Sequence, residues 1–330
     1  MNVLIIGLGN IGKHYYNICK KRGYNIFIND QFKKKNKNLQ YIELEDIKKY
    51  QIDIGIVCTP SGNHYQNASL LLKNNISTLI EKPMVLKISD AKKLVNLKKR
   101  KKAKCWVVFQ NRYNKATQLL KKKYSKDKSI FMLNANLFWH RDKNYYSKNW
   151  RGLYKTDGGV LTNQAIHLLD IVIYNFGKIK EFNTMFGFNK NKLEAEDLIF
   201  ISFLLKKNIF CSFTATTRAS EDYVCSLDVM SKNERHKISG KALNHFFSWK
   251  KGSFRKLKKF SENFQKFNDI RNGIGNGHEK ILDEFVNLEK SSQDLEIEKN
   301  IYILNVIHSV YNSINSKKNY IKNKESILGK

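Results

Sequence analysis

The sequence predicts an α/β protein in two parts: an N-terminal doubly wound parallel sheet, then an α+β domain with a mostly antiparallel sheet. Three observations carry this reading. Through about residue 110, short apolar runs alternate with amphipathic helical stretches. Farther on, strand-like runs follow one another with few helices between them. A glycine-rich turn joins the first strand to the first helix. At ~100–200 residues per domain, 330 residues fit two domains, placed at 1–118 and 119–330.

Val3-Leu4-Ile5-Ile6 is wholly apolar, as a strand covered on both faces must be. A helix follows from Asn10 to Lys21 and is broken by Gly23. Asn25–Ile28, Ile52–Val57, Ser77–Ile80 and Cys105–Phe109 read as the next strands, with helices near 63–74 and 88–101 between them. Repeated βα units of this kind close through right-handed crossovers into a parallel sheet. Ile130–Trp139 then reads as one long strand, and one helix is expected from Leu161 to Tyr174, ending before Gly177. Strands are expected near 180–189, 197–205, 208–217 and 223–230, and two helices at 277–290 and 298–315. Residues 241–276 are basic, aromatic and Gly-punctuated, and their pattern selects no element. No internal repeat and no Pro- or Ser-rich linker separates the halves, so they are expected to pack together.

Composition narrows the function classes. Sixty Lys+Arg against 29 Asp+Glu give a formal charge of +31, which on its face suggests a nucleic-acid or anionic-membrane binder. Only nine of those residues are Arg, leaving 51 Lys. Base reading favours the planar Arg fork over the hydrated Lys point charge. With abundant Asn and Ile and two Pro, the excess reads as compositional drift over an ordinary globular chain, useful at most for drawing in phosphate-bearing small molecules. Neither a nucleic acid nor a membrane is expected as a partner. Cys19, Cys58, Cys105, Cys211 and Cys225 form no CxxC pair and read as reduced thiols. No apolar stretch reaches the ~18 residues of a membrane helix and no basic n-region precedes Val3, so a cytoplasmic location is expected. No metal site is expected.

Gly7-Leu8-Gly9-Asn10-Ile11-Gly12 directly follows the first strand and opens a helix, the context a dinucleotide-binding Rossmann fingerprint requires. Gly7 allows the tight turn, Gly9 lets backbone approach a pyrophosphate, and Gly12 lets helix and strand pack closely. Asp30 ends the second strand, where an acid binds adenosine ribose hydroxyls and disfavours a 2′-phosphate. Lys33, Lys34 and Lys35 follow closely, so NAD is expected with NADP as the lesser alternative. Cys58-Thr59-Pro60-Ser61-Gly62-Asn63-His64 and Glu81-Lys82-Pro83 follow later strands at the same carboxyl edge, where open α/β sheets bind ligands. Composition alone would make Lys82 one more surface lysine. In the second half, Asn163 and His167 are four apart on the expected helix, with Asp170 close to that face. A lone His on an apolar helix is commonly a satisfied core residue. Here Asn163, Gln164 and His167 together interrupt the apolar pattern, and burial of all three without a role would be costly.

The ordered set GLGNIG, Asp30, CTPSGNH, EKP, QNRYN and DGGVLTNQAIHLLD resembles the Gfo/Idh/MocA family of NAD(P)-dependent sugar oxidoreductases over nearly the whole chain, including Gly277-His278 through Tyr311-Asn312-Ser313. One branch, the UDP-N-acetylglucosaminuronate 3-dehydrogenases of surface-polysaccharide synthesis, is similar at Gln110-Asn111-Arg112-Tyr113-Asn114, Tyr145-Tyr146, Trp150-Arg151-Gly152 and Asp157-Gly158-Gly159. The resemblance implies Lys82 and His167 as the catalytic pair, with Asn163 beside them. Many relatives carry Asp where this chain has Asn163, which cannot ionise. Thr162, Ala165 and Tyr154-Lys155 also depart from the branch, so the likeness bears on the reaction more than on the exact sugar.

It further implies cofactor contacts from Gly7, Gly9, Asn10, Ile11, Gly12, Asp30, Thr59, Pro60, His64, Glu81 and Lys82. Substrate contacts are implied for Arg112, Tyr113, Tyr145, Tyr146, Arg151, Asn163, Gln164 and His167, with Arg suited to a carboxylate or diphosphate. The implied reaction is NAD-dependent oxidation of the carbon-3 hydroxyl of a UDP-linked N-acetylated sugar acid. Its ketone would pass to an aminotransferase, toward a 3-amino sugar for lipopolysaccharide or a similar glycan. NAD recycling by 2-oxoglutarate and a homo-oligomer, a tetramer or dimer joined through the exposed sheet, are also implied. The alternatives are a dehydrogenase of a free sugar, an inositol or another nucleotide sugar, and a non-catalytic NAD sensor or scaffold.

Overall fold

The apolar run at the N-terminus forms β1 (Asn2–Ile6), in which Val3, Leu4 and Ile5 are fully buried because the sheet is covered on both faces. The computed structural model describes residues 1–31, 38–124, 129–188, 193–250, 258–261, 277–287 and 294–313. Lys33, Lys34 and Lys35 lie outside the described residues. β2 (Asn25–Asn29), β3 (Gln40–Tyr41), β4 (Ile54–Val57), β5 (Ser77–Glu81) and β6 (Cys105–Val108) join β1 in a parallel sheet. Its order is β3-β2-β1-β4-β5-β6. Helices α1 (Asn10–Lys21), α2 (His64–Lys73) and α3 (Ile88–Arg100) connect these strands, and α4 (Lys115–Tyr124) follows them. The order reverses between β1 and β4, so the loops after those strands diverge and open a crevice at the carboxyl edge.

The second sheet is built on β7 (Ile130–Phe138), β8 (Ile179–Gly187), β9 (Leu198–Leu205), β10 (Phe210–Thr216) and β11 (Val224–Ser231). The short α5 (Lys143–Tyr146) and α6 (Val160–Asn163), and then α7 (Ile166–Phe176), lie between β7 and β8. β12 (Glu234–Ser239), β13 (His245–Lys250) and β14 (Lys258–Ser261) extend the sheet to the order β14-β13-β12-β11-β7-β10-β9-β8. Every pair is antiparallel except β7–β10. Leu133, Ala135 and Leu137 align with Cys211, Phe213 and Ala215 on one side and Val229, Leu227 and Cys225 on the other. That row is buried, and α7 packs against it. The period-2 alternation sends Met185, Phe200 and Phe210 to the opposite face, where they are exposed.

Two further helices, α8 (Gly277–Asn287) and α9 (Ile297–Asn312), return to the first sheet. α9 packs on α3 and β6. Arg22 Nε and Nη2 grip both oxygens of Asp283 at 2.6 and 2.7 Å, fixing α1 to α8. The Phe285 ring meets Trp106 edge-on at 4.9 Å. The halves are therefore packed together.

The fold differs from the sequence reading in three places. The single helix expected from Leu161 to Tyr174 is two helices, broken at Gln164-Ala165. β12 to β14 stand partly where no element was selected, because charged residues obscure the alternation that buries His236 and Ile238. α4 and the two-residue β3 were also not anticipated. Residues 251–257 and 262–276, residue 189, and the expected helix ends at 288–290 and 314–315 lie outside the described residues. Among the described residues, no helix is long and apolar enough to cross a membrane, and no group of three His, Cys, Asp or Glu could hold a metal ion. All five cysteines are free thiols.

Candidate active site

The first half of the site is backbone. Gly7 turns the chain out of β1 at φ +94°, and a Cβ there would lie 2.9 Å from the carbonyl of Cys58. Gly12 lies against that turn, its virtual Cβ 1.9 Å from the Gly7 oxygen, so a side chain would push α1 away from β1. A Cβ on Gly9, by contrast, would meet nothing within 4 Å. Gly9 caps α1 without a side-chain hydrogen bond, and the first turn holds no acid. The helix therefore presents its terminal amides and positive dipole end to whatever binds there.

A cavity of about 700 Å³ extends from these amides and is lined by Gly7, Gly9, Asn10, Asp30, Thr59 and Pro60, among others. Its size and its open, anion-seeking floor fit a dinucleotide. Asp30 stands at the end of β2 and accepts from the Leu8 amide at 2.5 Å, so its carboxylate lies within the glycine loop. Gly12 and His64 do not line the cavity. His64 lies behind it, buried, with Nδ1 2.7 Å from the Pro83 carbonyl and Nε2 2.9 Å from that of Thr59. It ties together the loops after β4 and β5. Burial lowers its pKa, and as a neutral ring it donates to only one of the two carbonyls.

A second cavity, of about 490 Å³, shares Ile11, Glu81 and Lys82 with the first. Lys82 therefore stands where the two spaces meet. Its Nζ donates to the Asn163 carbonyl at 2.8 Å, at the end of α6 just before the helix break. The Asn163 amide nitrogen donates to Asp157 Oδ1, so this residue brackets Lys82 on one side and a buried carboxylate on the other. Burial raises the Asp157 pKa, against the opposing charge of Arg151. His167 lies on the first turn of α7, lines the second cavity, and has no hydrogen-bond partner at Nδ1. Desolvation, reinforced by the charges of Lys82 and His278, holds its pKa well below the ordinary 6.5, so the ring is neutral and ready to accept a proton.

Tyr145 and Gln164 also line the second cavity, and Arg151 the first. Tyr145 OH accepts from Arg151 Nη1 at 2.6 Å and from Gln164 Nε2 at 3.1 Å, one network linking the mouths of both cavities. The Arg151 guanidinium is 3.8 Å from the Trp150 ring centroid. Tyr146 stands back, its hydroxyl 2.8 Å from Thr217 Oγ1.

Arg112 and Tyr113 differ from the expectation of a cleft position, since neither lines either of these two cavities. Arg112 is buried against Asp170, with Nε 2.9 Å from Oδ2, and it also donates to the Asp294 carbonyl and Asn300 Oδ1. Its fork, like Asp170 itself, is consumed in tying α7 to the loop after β6 and to α9. Tyr113 OH donates to Glu284 Oε2 at 2.5 Å on α8. Sequence reasoning did not single out Asp157 or His278 as site residues. The Asp-Gly-Gly step and the Gly-His opening of α8 were the available signals.

The geometry meets a consistent set of relatives. Residues 1–109 match the Gfo/Idh/MocA oxidoreductase family, NAD-binding Rossmann fold, and residues 128–322 match its C-terminal alpha/beta domain. The chain superposes on the WlbA dehydrogenase from Chromobacterium violaceum in complex with NADH and UDP-GlcNAcA, with TM-score 0.80 and 23% identity over 95% of this chain and 93% of that one. The WlbA dehydrogenase from Bordetella pertussis, in complex with the same pair, gives TM-score 0.79 and 22% identity over 94% and 95%. At such identity the likeness establishes the fold. The chain spans less than half the length of the curated relatives it matches. One is the redox-sensing transcriptional repressor Rex of Clostridium botulinum, 36% identical over 86 residues, 23% of this chain and 41% of that protein.

Proposed function

The chain belongs to the Gfo/Idh/MocA oxidoreductase family, and from that premise we propose that it is an NAD-dependent dehydrogenase that oxidises the carbon-3 hydroxyl of a UDP-linked N-acetylated sugar acid. One observation carries the reading. Lys82 lies at the junction of a dinucleotide-sized cavity and a second, polar cavity into which His167 opens. When bound, NAD would supply a nicotinamide as hydride acceptor. The chain's residues manage the proton and the charge. His167 accepts the hydroxyl proton, for which a neutral imidazole is required. Lys82, oriented by the Asn163 carbonyl, holds its ammonium against the oxygen and stabilises developing alkoxide character. The uncapped amides of α1 and the Asp30 carboxylate hold the phosphates and adenosine ribose. The Tyr145–Arg151–Gln164 network offers an acidic sugar or diphosphate its hydrogen bonds at the shared mouth.

The branch resemblance and the WlbA likeness support the UDP-sugar acid over a free sugar. The Rex match covers too little of the chain to speak for a sensor, and a sensor has no use for an acid/base pair beside the nicotinamide. The product ketone suits an aminotransferase as the next enzyme, with NAD recycled by 2-oxoglutarate. Exposed Met185, Phe200 and Phe210 on the open sheet face support a homo-oligomer. A panel of nucleotide sugars and free sugars read by NADH absorbance tests the proposal. Oxidation of UDP-N-acetylglucosaminuronate with inert free sugars is expected. Preference for a free sugar would reject it.

A further inference from the structure

The reaction assigned above leaves unused the most heavily buried histidine around the second cavity. His278 is the second residue of α8, and neither of its ring nitrogens has a hydrogen-bond partner. A buried imidazole left that way is costly unless it serves something. Its Nε2 is 3.4 Å from Glu81 Oε1, a buried carboxylate oxygen that likewise has no hydrogen bond. The other Glu81 oxygen accepts from the Lys82 amide at 3.3 Å, so the carboxylate lies directly behind the reacting centre. From α1, the rings of His14 and Tyr15 meet His278 edge-on at 5.1 and 5.5 Å. Lys82 after β5 and His167 on α7 line the same cavity as His278 and Glu81, and its other titratable lining residues are His140, Arg141, Asp142, Tyr145, Asp222, Cys225 and Lys241. The start of α8 is fixed in place, since a Cβ on Gly277 would lie 2.3 Å from the Gln110 carbonyl oxygen.

We propose that His278, backed by the Glu81 carboxylate, is a positioning residue that receives across the cavity the proton His167 takes from the substrate. The inference rests on the reading of His167 as the base. In the oxidation the carbon–hydrogen bond breaks and its electron pair leaves as hydride for the nicotinamide. The oxygen–hydrogen bond breaks and its proton goes to His167, leaving a carbonyl. His167 then returns to the neutral form by giving one proton to His278, which holds it as an imidazolium against Glu81 until product leaves. The charges favour that direction. Lys82 disfavours a proton on His167, and Glu81 Oε1, with no hydrogen bond of its own, stands 3.4 Å from His278 Nε2 to accept from it.

The test follows the histidine ring-nitrogen signals of the full chain by NMR across pH, in the wild type, His278→Asn and Glu81→Gln, with His167→Asn to assign its signal. Single-turnover hydride transfer is measured on the same proteins. In His278→Asn the His167 midpoint should rise by about one pH unit. In Glu81→Gln the His278 midpoint should fall by a similar amount. Hydride transfer at neutral pH should slow about tenfold or more in both. Unmoved midpoints in variants that melt like the wild type would overturn the proposal, as would moved midpoints with unchanged transfer. If His278→Asn does not fold, Glu81→Gln carries the same decision alone. A wild type inert toward every sugar would reject the assigned function instead, while the titrations still report on the histidine pair.

Discussion

Lys82 and His167 line one cavity because the loop after β5 and the start of α7 converge there, and the proposed reaction has each act on the same hydroxyl. Replacing either with Ala should reduce hydride transfer by about 10²–10⁴-fold while the Kd for NAD stays within a few-fold, measured by single turnover and by cofactor titration. Their places were legible in the sequence, at a strand end before a proline and at a polar interruption of an apolar helix, whereas their pairing came only from the family resemblance. Arg112 was not legible. Its partner Asp170 is 58 positions away, and nothing in the local sequence announces a buried pair. Arg112→Ala should destabilise the fold by about 3–5 kcal/mol, because it strands a buried carboxylate, and denaturant unfolding measures this. The neutral state of His167 also has a pH signature. Its folded pKa lies well below 6.5, so the rate of alcohol oxidation should hold level as pH falls to 6.5 and drop only below it. The same shift costs stability below pH 6.5, where the unfolded chain takes up a proton that the folded ring resists.

Among the elements, α6 and its break matter most. No Gly or Pro stands at Gln164-Ala165, and a polar interruption does not by itself end a helix, so the sequence read one helix there. The break brings the Asn163 carbonyl to Lys82, a tertiary contact with no trace in a helical period. Beneath α6, Glu196 accepts from the Leu161 amide and from Tyr311 OH, both at 3.0 Å, and burial pushes its pKa up to about 7. The folded state therefore binds this proton more tightly than the unfolded chain. Its contribution to stability is full below pH 4.5 and is lost as pH rises through about 7. Glu196→Gln keeps the accepting oxygen and removes the charge. It should raise the melting temperature at pH 8, by the equivalent of about 3 kcal/mol at most, and change little at pH 4. Thermal melts at the two pH values check this. In the first sheet, the strands have apolar centres and amphipathic helices follow them, so every strand but the two-residue β3 could be read. At the far edge, the charges of Glu234, Arg235 and Lys237 in β12 hide the alternation that buries His236 and Ile238.

For the whole molecule, the +31 charge changes meaning once the cavities are in place. Dinucleotide and nucleotide sugar are both polyanions, and a diffuse lysine field raises their encounter rate without selecting between them. Added salt should raise the KM for the nucleotide sugar and leave kcat nearly unchanged, as steady-state kinetics across ionic strength would show. The packing of α8 and α9 onto the first sheet matters for chemistry as well as stability, because it carries His278 to Glu81. The proposed reaction sends hydride from carbon 3 of a UDP-linked sugar acid to NAD. UDP-N-acetylglucosaminuronate deuterated at carbon 3 tests this most directly, with the reduced cofactor analysed by mass spectrometry. Deuterium in the nicotinamide and a 3-keto product are the expected result of that reaction. Reduced cofactor without deuterium, or no reduction at all, would contradict it.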